Sequence, residues 1–575
     1  MELRAAVTER LARLAPDQRA AATAPPGPIL CVAPAGSGKT TTLVARICWL
    51  VGTGVDPATI TGITFNKRAQ EELAERLTAA LEPLGVASDA VRVRTFHALG
   101  REILASAGRS VDLVDRDAFV EELWPASTPA DRRRLDEAFS RLKLDLRVDP
   151  AAIEADPKAG PIARAYLEYQ AALNARGAVD FDDLVARALG LLESDPGVLA
   201  AWRARCEHLL VDEAQDLDRS QLDLALLLAA PGNRIFLVGD DDQSIYGWRL
   251  ADVRRVLNLA TSLPGLRRVD LVTNYRCPAV VVDRAVRLVE HNRERFAKAI
   301  RPRPSAGGDI ILGADSNDEI VRMGRLLDRW PDDGSSRAIL ARTNRELLPA
   351  AVSAVRLDRP FRASRLRLLV EEPAIDELLD LIEPDGSGAE PLLVRAGRMR
   401  ARATQQGRAN TSGALAANQR IASGDAATSR GGSPLIGEEE PTPVRDLVAA
   451  IVGWAAPFPT LVDLREAITH VRNAVARLRT DDADLSLATV HGTKGLEWDH
   501  VAVIGLEVGR FPSARSVDEA TDPARALEEE RRLAYVAWTR ARRSLTLVYD
   551  PQAPSPFLLE AFDPAELRID RPPAH

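Results

Sequence analysis

Cysteine is scarce in this 575-residue chain. Cys31, Cys48, Cys206 and Cys277 are scattered, and no two show the C-x-x-C spacing of a zinc or redox site. That pattern suits a reduced protein without disulfides or zinc. No apolar run approaches the ~18 residues that a membrane-spanning helix requires, so no membrane span or membrane partner is expected. The N-terminus, MELRAAVTERLARL, carries charge throughout and has no apolar core of a secretory signal. A cytoplasmic protein is expected. Aromatics are 5% of residues, and none occurs between Phe361 and Trp454. Lysine is rare beside arginine, and the formal net charge is −8. That balance argues against a generic nucleic-acid coat but leaves a local basic groove open. The length is too great for one core, so several domains are expected.

What is present is organised around Ile29–Thr42, ILCVAPAGSGKTTT. It reads as a buried strand, a Gly-rich turn and the start of a helix. In such a P-loop, the backbone N–H groups of Ala33, Pro34, Ala35, Gly36, Ser37 and Gly38 (Pro34 excepted) and of the helix start surround phosphates. Lys39 reaches the β/γ-phosphates, the Thr40 hydroxyl sits on Mg²⁺, and Thr41 follows in the same turn. The strict pattern has Gly where this chain has Ala33. Upstream, Gln18 offers a paired donor and acceptor suited to adenine.

Downstream, Ile60–Arg68 reads as a strand ending in Thr64, Phe65, Asn66 and Lys67, running into a helix. Val91–Arg94 reads as another, ending in Thr95, Phe96 and His97. In open α/β sheets ligands bind at that strand edge, and such aromatics stack bases while polar neighbours hold phosphates. The competing reading of each cluster is a core Phe with solvated neighbours. Residues 101–180 read as a helical insertion closed by the acidic run Val179-Asp-Phe-Asp-Asp183. The strand in HLLVDEAQD delivers Asp212 for Mg²⁺ and Glu213 for the attacking water. After Ile235–Gly239 comes Asp240-Asp-Asp-Gln-Ser-Ile-Tyr-Gly-Trp-Arg249. Gln243 is suited to sense the γ-phosphate, and Tyr246 and Trp248 to stack bases at ~1–3 kcal/mol each. Their alternative is a hydrophobic plug between layers. In LVTNYRCP, Tyr275 is available to adenine and Arg276 to a phosphate.

The ordered series Gln18, APAGSGKT, TFNK, TFH, VDEAQD, GDDDQSIYGWR and NYRCP resembles the UvrD/Rep family of superfamily 1A DNA helicases. So do RAILARTN at Arg337–Asn344, TVHGTKGLEW at Thr489–Trp498 and EERRLAYVAWTR at Glu529–Arg540. The resemblance implies an α/β fold of two RecA-like P-loop motor domains, parallel sheets flanked by helices, with helical insertions. It places the first motor in 1–100 and 181–275, the second in 276–370 and 485–562. It implies ATP and Mg²⁺, with Arg276 and Arg540 reaching the γ-phosphate from the second domain and Glu497 holding the ribose. Phe65, Asn66, His97, Tyr246, Trp248, Arg249 and His491 line the single-strand path. Movement 3′→5′ on single-stranded DNA and action on tailed or forked duplex follow from the same resemblance. So do a nucleoid-associated location and a repair or replication protein as partner.

Two departures are expected to matter. Residues 371–484 form a reduced insertion whose basic, low-complexity stretch, about 383–442, lacks the apolar content to offset its ordering entropy. It reads as a disordered linker, or as a basic arm touching the nucleic-acid backbone. The run Val444–Leu478 is expected to be helical and to pack on the second motor. After the strand Ser544–Tyr549 there is no room for a duplex-splitting β-hairpin, and too few residues follow for a nuclease domain. A translocase that strips proteins without unwinding is therefore the second reading. A P-loop ATPase unconnected with nucleic acid is the third, and the exposed aromatics oppose it.

Overall fold

The computed structural model describes residues 2–568 except 88, 110, 332, 365, 383–389 and 400–443. Most of the low-complexity stretch, 383–389 and 400–442, lies outside the described residues. The chain divides into two compact units. The first holds Met1–Gly307 and Glu519–Thr539, and the second holds the chain from Gly308 to Asp518 and from Arg540 onward.

Unit 1 is built on a six-stranded sheet. Its strands are β1 (Ile29–Val32), β2 (Ile60–Thr64), β3 (Arg92–Thr95), β4 (His208–Val211), β5 (Ile235–Gly239) and β6 (Arg267–Asp270). Their spatial order is β3-β2-β4-β5-β1-β6, with every pair parallel. The central strands are apolar runs because helices cover both faces. In β1, Leu30 and Val32 enter one hydrophobic core while Ile29 and Cys31 enter the other. This is the period-2 alternation of a strand buried on both sides. The helices start where short polar side chains cap them: Asn66 Oδ1 accepts from Ala69 N–H at 2.9 Å, and Thr95 Oγ1 from Ala98 N–H at 3.2 Å.

The insertion after β3 has its own core of Phe119, Phe139, Ile153, Tyr166, Tyr169 and Leu173. Beside that core lies a buried ionic cluster. Lys143 Nζ meets Asp180 at 2.6 Å and Asp183 at 2.8 Å, and Arg116 meets Asp180 at 2.8 Å and Asp182 at 2.5 Å. Burial pushes the Asp180 carboxyl up, but Lys143 and Arg116 outweigh it and hold it well below the usual carboxylate range.

The boundary between units falls at 307/308 rather than 275/276, for two reasons. A short parallel pair, β7 (Thr273–Asn274) with β8 (Arg301–Pro302), ties the strand after β6 to the chain beyond it. The helix Ala279–Val289 packs against the helix Pro523–Trp538, which belongs to unit 1 despite its late position in the chain.

Unit 2 has a five-stranded parallel sheet. Its strands are β9 (Asp309–Ala314), β10 (Arg337–Ala341), β11 (Leu485–Thr489), β12 (Trp498–Val503) and β13 (Ala541–Tyr549), in the order β11-β10-β12-β13-β9. The reduced insertion carries a separate core. Ile375, Leu379, Leu392, Met399, Ile451 and Leu464 meet there, drawn from the helices Ala374–Asp380, 392–399, Val444–Ala455 and Leu461–Leu478. The helix at 392–399 begins inside the stretch expected to lack structure, because Leu392, Ala396 and Met399 at helical spacing supply an apolar stripe. Only the end of the last helix, Val475 and Leu478, joins the core of the sheet. Among the described residues no strand pair follows β13; the chain turns into the helix Pro556–Ala561.

Candidate ATP site and nucleic-acid path

Parallel strands deliver their following loops to one edge of the sheet, and in unit 1 that edge collects the predicted residues. The P-loop follows β1. Ala33 N–H donates to Gly239 O at 2.8 Å, fastening the loop to β5. Ala33 is not among the residues of positive φ, so this position does not demand glycine. Gly36 and Gly38 do, at φ +67° and +85°. A Cβ on Gly36 would lie 2.8 Å from Arg276 Cβ, and one on Gly38 2.6 Å from Gln18 Nε2. The helix Lys39–Gly52 then presents its N-terminus to the loop. Ser37 Oγ is buried there without a protein partner. A buried hydroxyl beside a helix N-terminus and a lysine fits a phosphate oxygen.

Lys39 Nζ is 3.3 Å from Glu213 Oε2, and Gln215 Nε2 donates to the same oxygen at 2.7 Å. Glu213 stands at φ +51°, a left-handed conformation that costs a glutamate strain. Its N–H donates to Asp212 Oδ1 at 2.9 Å. The pair is thus oriented by the backbone turn after β4. Thr40 is the second residue of the P-loop helix; it and Asp212 are the residues that would hold Mg²⁺.

Gln18 sits at a cavity of about 510 Å³ that it lines with Arg13, Leu14, Ala15, Gly38, Thr41 and Tyr275. Its amide also serves the protein: Nε2 donates to Ser37 O at 2.8 Å, and Oε1 accepts from Ala15 N–H at 3.3 Å. Gln18 therefore braces the P-loop as well as facing the cavity. Tyr275, 39% exposed, closes the same wall, and its N–H donates to Gly36 O at 2.8 Å. Asn274 makes this possible: Nδ2 donates to Ala35 O at 2.8 Å, and Oδ1 accepts from Arg276 and Cys277 N–H. Arg276 consequently lies in unit 1, with Nη1 donating to Thr539 O at 3.2 Å, and not in a second motor domain as expected.

In unit 2, Arg540 is buried and donates to Leu496 O at 3.1 Å, and Glu497 lies 3.6 Å from Arg542. His491 is buried in the turn Val490–Thr493. Burial holds its imidazole well below the usual histidine range, with the Arg342 charge adding to the effect.

The aromatic residues of unit 1 predicted for the single-strand path follow β2, β3 and β5. Phe65 and Tyr246 stack with centroids 4.9 Å apart and planes 20° apart. Tyr246 meets Trp248 edge-on at 6.0 Å, and the Arg249 guanidinium lies 4.7 Å from the Trp248 ring. Trp248 Nε1 is buried without a protein acceptor. His97 stacks on Phe181 at 3.8 Å. Burial pushes its imidazole down to about 4, so at neutral pH it presents an uncharged ring and not a phosphate-binding cation. Asn66 spends its side-chain oxygen on the helix cap. Phe181 was not singled out in the sequence, yet it is 56% exposed. The one signal for it was an aromatic set among carboxylates in Asp180-Phe-Asp-Asp183, where the flanking aspartates turn inward to Lys143 and Arg116.

Comparison with known proteins agrees with this architecture. Residues 14–264 match the UvrD/REP helicase N-terminal domain, and residues 445–552 match the UvrD-like helicase C-terminal domain. The chain is 28% identical to DNA helicase II of Escherichia coli (strain K12), over 92% of its own length and 84% of that protein. It is 29% identical to the ATP-dependent DNA helicase PcrA of Leuconostoc citreum, over 91% and 80%. It is also 29% identical to the ATP-dependent DNA helicase Rep of Salmonella typhimurium, over 95% and 94%. No described helix is long and apolar enough to cross a membrane. With matched regions at both ends, relatives aligned over nearly the whole chain, and two parallel sheets of the expected kind, the chain belongs to the UvrD/Rep family of superfamily 1A DNA helicases.

Proposed function

We propose that this helicase hydrolyses ATP at the P-loop edge of unit 1 to drive 3′→5′ movement on single-stranded DNA, and that it separates tailed or forked duplex in repair or replication support. One observation carries the reading: a single sheet edge bears both the phosphate cradle and the stacked aromatics. The loop after β5 carries Tyr246 and Trp248 and also Gln243, whose amide donates to Asp240, a residue linked through Gln215 to Glu213.

Lys39 and the backbone of Ala35–Gly38 bind the phosphates, Glu213 positions and deprotonates the attacking water, and Gln243 senses the γ-phosphate. Arg276 and Arg540 stabilise charge developing in the transfer. Tyr275 and Gln18 hold the adenine, and Glu497 the ribose. Thr40 and Asp212 hold Mg²⁺, which when bound neutralises phosphate charge. Phe65, His97, Phe181, Tyr246 and Trp248 offer ring faces to bases, with Arg249, Asn66 and His491 beside the strand.

The test is ATP hydrolysis with and without single-stranded DNA, followed by displacement of 3′-tailed against 5′-tailed duplex. Strong stimulation and 3′-tail-dependent displacement are expected. Trp248→Ala should weaken single-strand affinity by ~1–3 kcal/mol, measured by fluorescence anisotropy, with ATP affinity retained. An unstimulated ATPase would sink the reading. The second reading, a translocase or protein–DNA remodeller without autonomous unwinding, is favoured by the absence of a described strand pair after β13. Stimulation without displacement would select it.

A further inference from the structure

The Lys298 side chain is completely buried, outside every motif that the sequence displays. Its Nζ lies 2.8 Å from Asp240, 2.5 Å from Asp241 and 2.9 Å from Asp242, all three fully or almost fully buried. Three adjacent carboxylates at the end of one strand repel each other, and a buried charge is costly unless paired. Arg295 adds a two-pronged contact to Asp242, Nε at 2.9 Å and Nη2 at 2.8 Å, and Phe296 N–H donates to Asp241 Oδ2 at 2.8 Å. Burial opposes the charge on Lys298, but the three aspartates outweigh it and push the ammonium up, so it stays charged.

Asp240 is the hub that these contacts secure. Its Oδ2 accepts from Gln243 Nε2 at 2.6 Å. Its N–H donates to Gln215 Oε1 at 3.0 Å, and Gln215 in turn holds Glu213. Ser244 Oγ, one residue before the aromatic loop begins at Ile245, donates to Gln215 O at 3.2 Å. The chain bearing Lys298 is itself clamped. Glu528, on the helix Pro523–Trp538, accepts from Arg293 N–H at 2.9 Å and Glu294 N–H at 3.1 Å, and Arg532 donates to Glu294 O at 2.7 Å.

We propose that Lys298 is a positioning residue for ATP hydrolysis: by gathering Asp240, Asp241 and Asp242 it holds Gln243 and, through Gln215, Glu213 in working alignment with each other and with the aromatic loop. The inference rests on the reading of Glu213 and Gln243 given above. A cluster that served stability alone would contribute equally to nucleotide binding and turnover. A positioning cluster separates them, because Lys298 touches neither the P-loop nor the adenine wall.

The test uses the full chain. Lys298→Met, Lys298→Arg and wild type are compared for steady-state ATP hydrolysis with and without oligothymidine, for equilibrium binding of a fluorescent ATP analogue, and for thermal melting. In Lys298→Met, kcat and its stimulation by DNA should fall ~10–100-fold, the size expected of a misplaced catalytic group, with analogue affinity unchanged. Lys298→Arg, which keeps the charge, should recover part of the loss. A folded Lys298→Met with wild-type kcat would overturn the proposal, and so would parallel losses of affinity and kcat without recovery by arginine. If Lys298→Met does not fold, Arg295→Gln replaces it: a smaller fall in kcat at unchanged affinity is expected, and an unchanged kcat overturns the proposal. A wild type without DNA stimulation would instead overturn the function proposed above, while the split between kcat and affinity would still be read on hydrolysis alone.

Discussion

Glu213→Gln is expected to bind ATP with near-normal affinity and to hydrolyse it ~10²–10⁴-fold more slowly, the usual contribution of a general base. The amide is the same size as the carboxylate and keeps an oxygen for Lys39, now 3.3 Å away, and for Gln215. It removes only the negative charge that draws a proton from water. The strained φ of +51° is a property of the turn after β4 and persists in the variant. Lys39→Ala should behave differently, losing phosphate affinity and turnover together. Equilibrium nucleotide binding and single-turnover hydrolysis separate the two. A Glu213→Gln enzyme with near-wild-type turnover would remove Glu213 from the role assigned to it.

Lys143→Met in the helical insertion is expected to destabilise that subdomain by ~1–3 kcal/mol, less than the ~3–5 of a buried charge left with no partner, because it removes the ammonium shared by Asp180 and Asp183 and leaves Asp180 to Arg116 and Asp183 to Arg187. The Lys143 side chain is 2% exposed and the Asp180 side chain is fully enclosed, so water does not replace the lost partner. A single unfolding free energy is poorly defined for a chain of two units. Amide hydrogen exchange in the helices Pro129–Ser140 and Pro161–Arg176 is the fitting measurement, and unchanged protection would refute the prediction. Sign and pH follow from Asp180. Its carboxyl is held below the ordinary range, so its contribution is complete above the unfolded value of ~4 and is lost as pH falls further. The variant should therefore differ most from wild type at neutral pH. Single-strand affinity should also fall, because Phe181, which stacks on His97, follows Asp180 directly and Asp180 loses one of its anchors in the variant.

Local elements were legible because contiguous residues specify them. The P-loop needs only a strand, two glycines free to take positive φ and a lysine at the helix start, and all lie within Ile29–Thr42. The same holds for Asp212-Glu213 after β4 and for the aromatic loop after β5. The helix at 392–399 was hidden by composition, since a short apolar stripe is diluted by the arginines and small residues around it.

By itself, then, the sequence determined the family, the two parallel-sheet units and the strand–turn–helix course of the P-loop. Tertiary structure alone decided that the helix Pro523–Trp538 belongs with a sheet whose strands precede it by some hundreds of residues. It also decided that Arg276 lies beside the P-loop, that Phe181 meets His97, and that Lys298 sits among Asp240, Asp241 and Asp242. The physical reason is one of range. A turn or a cap is settled by neighbours in the chain, whereas an ion pair in a dry interior is settled by which distant segments burial forces together.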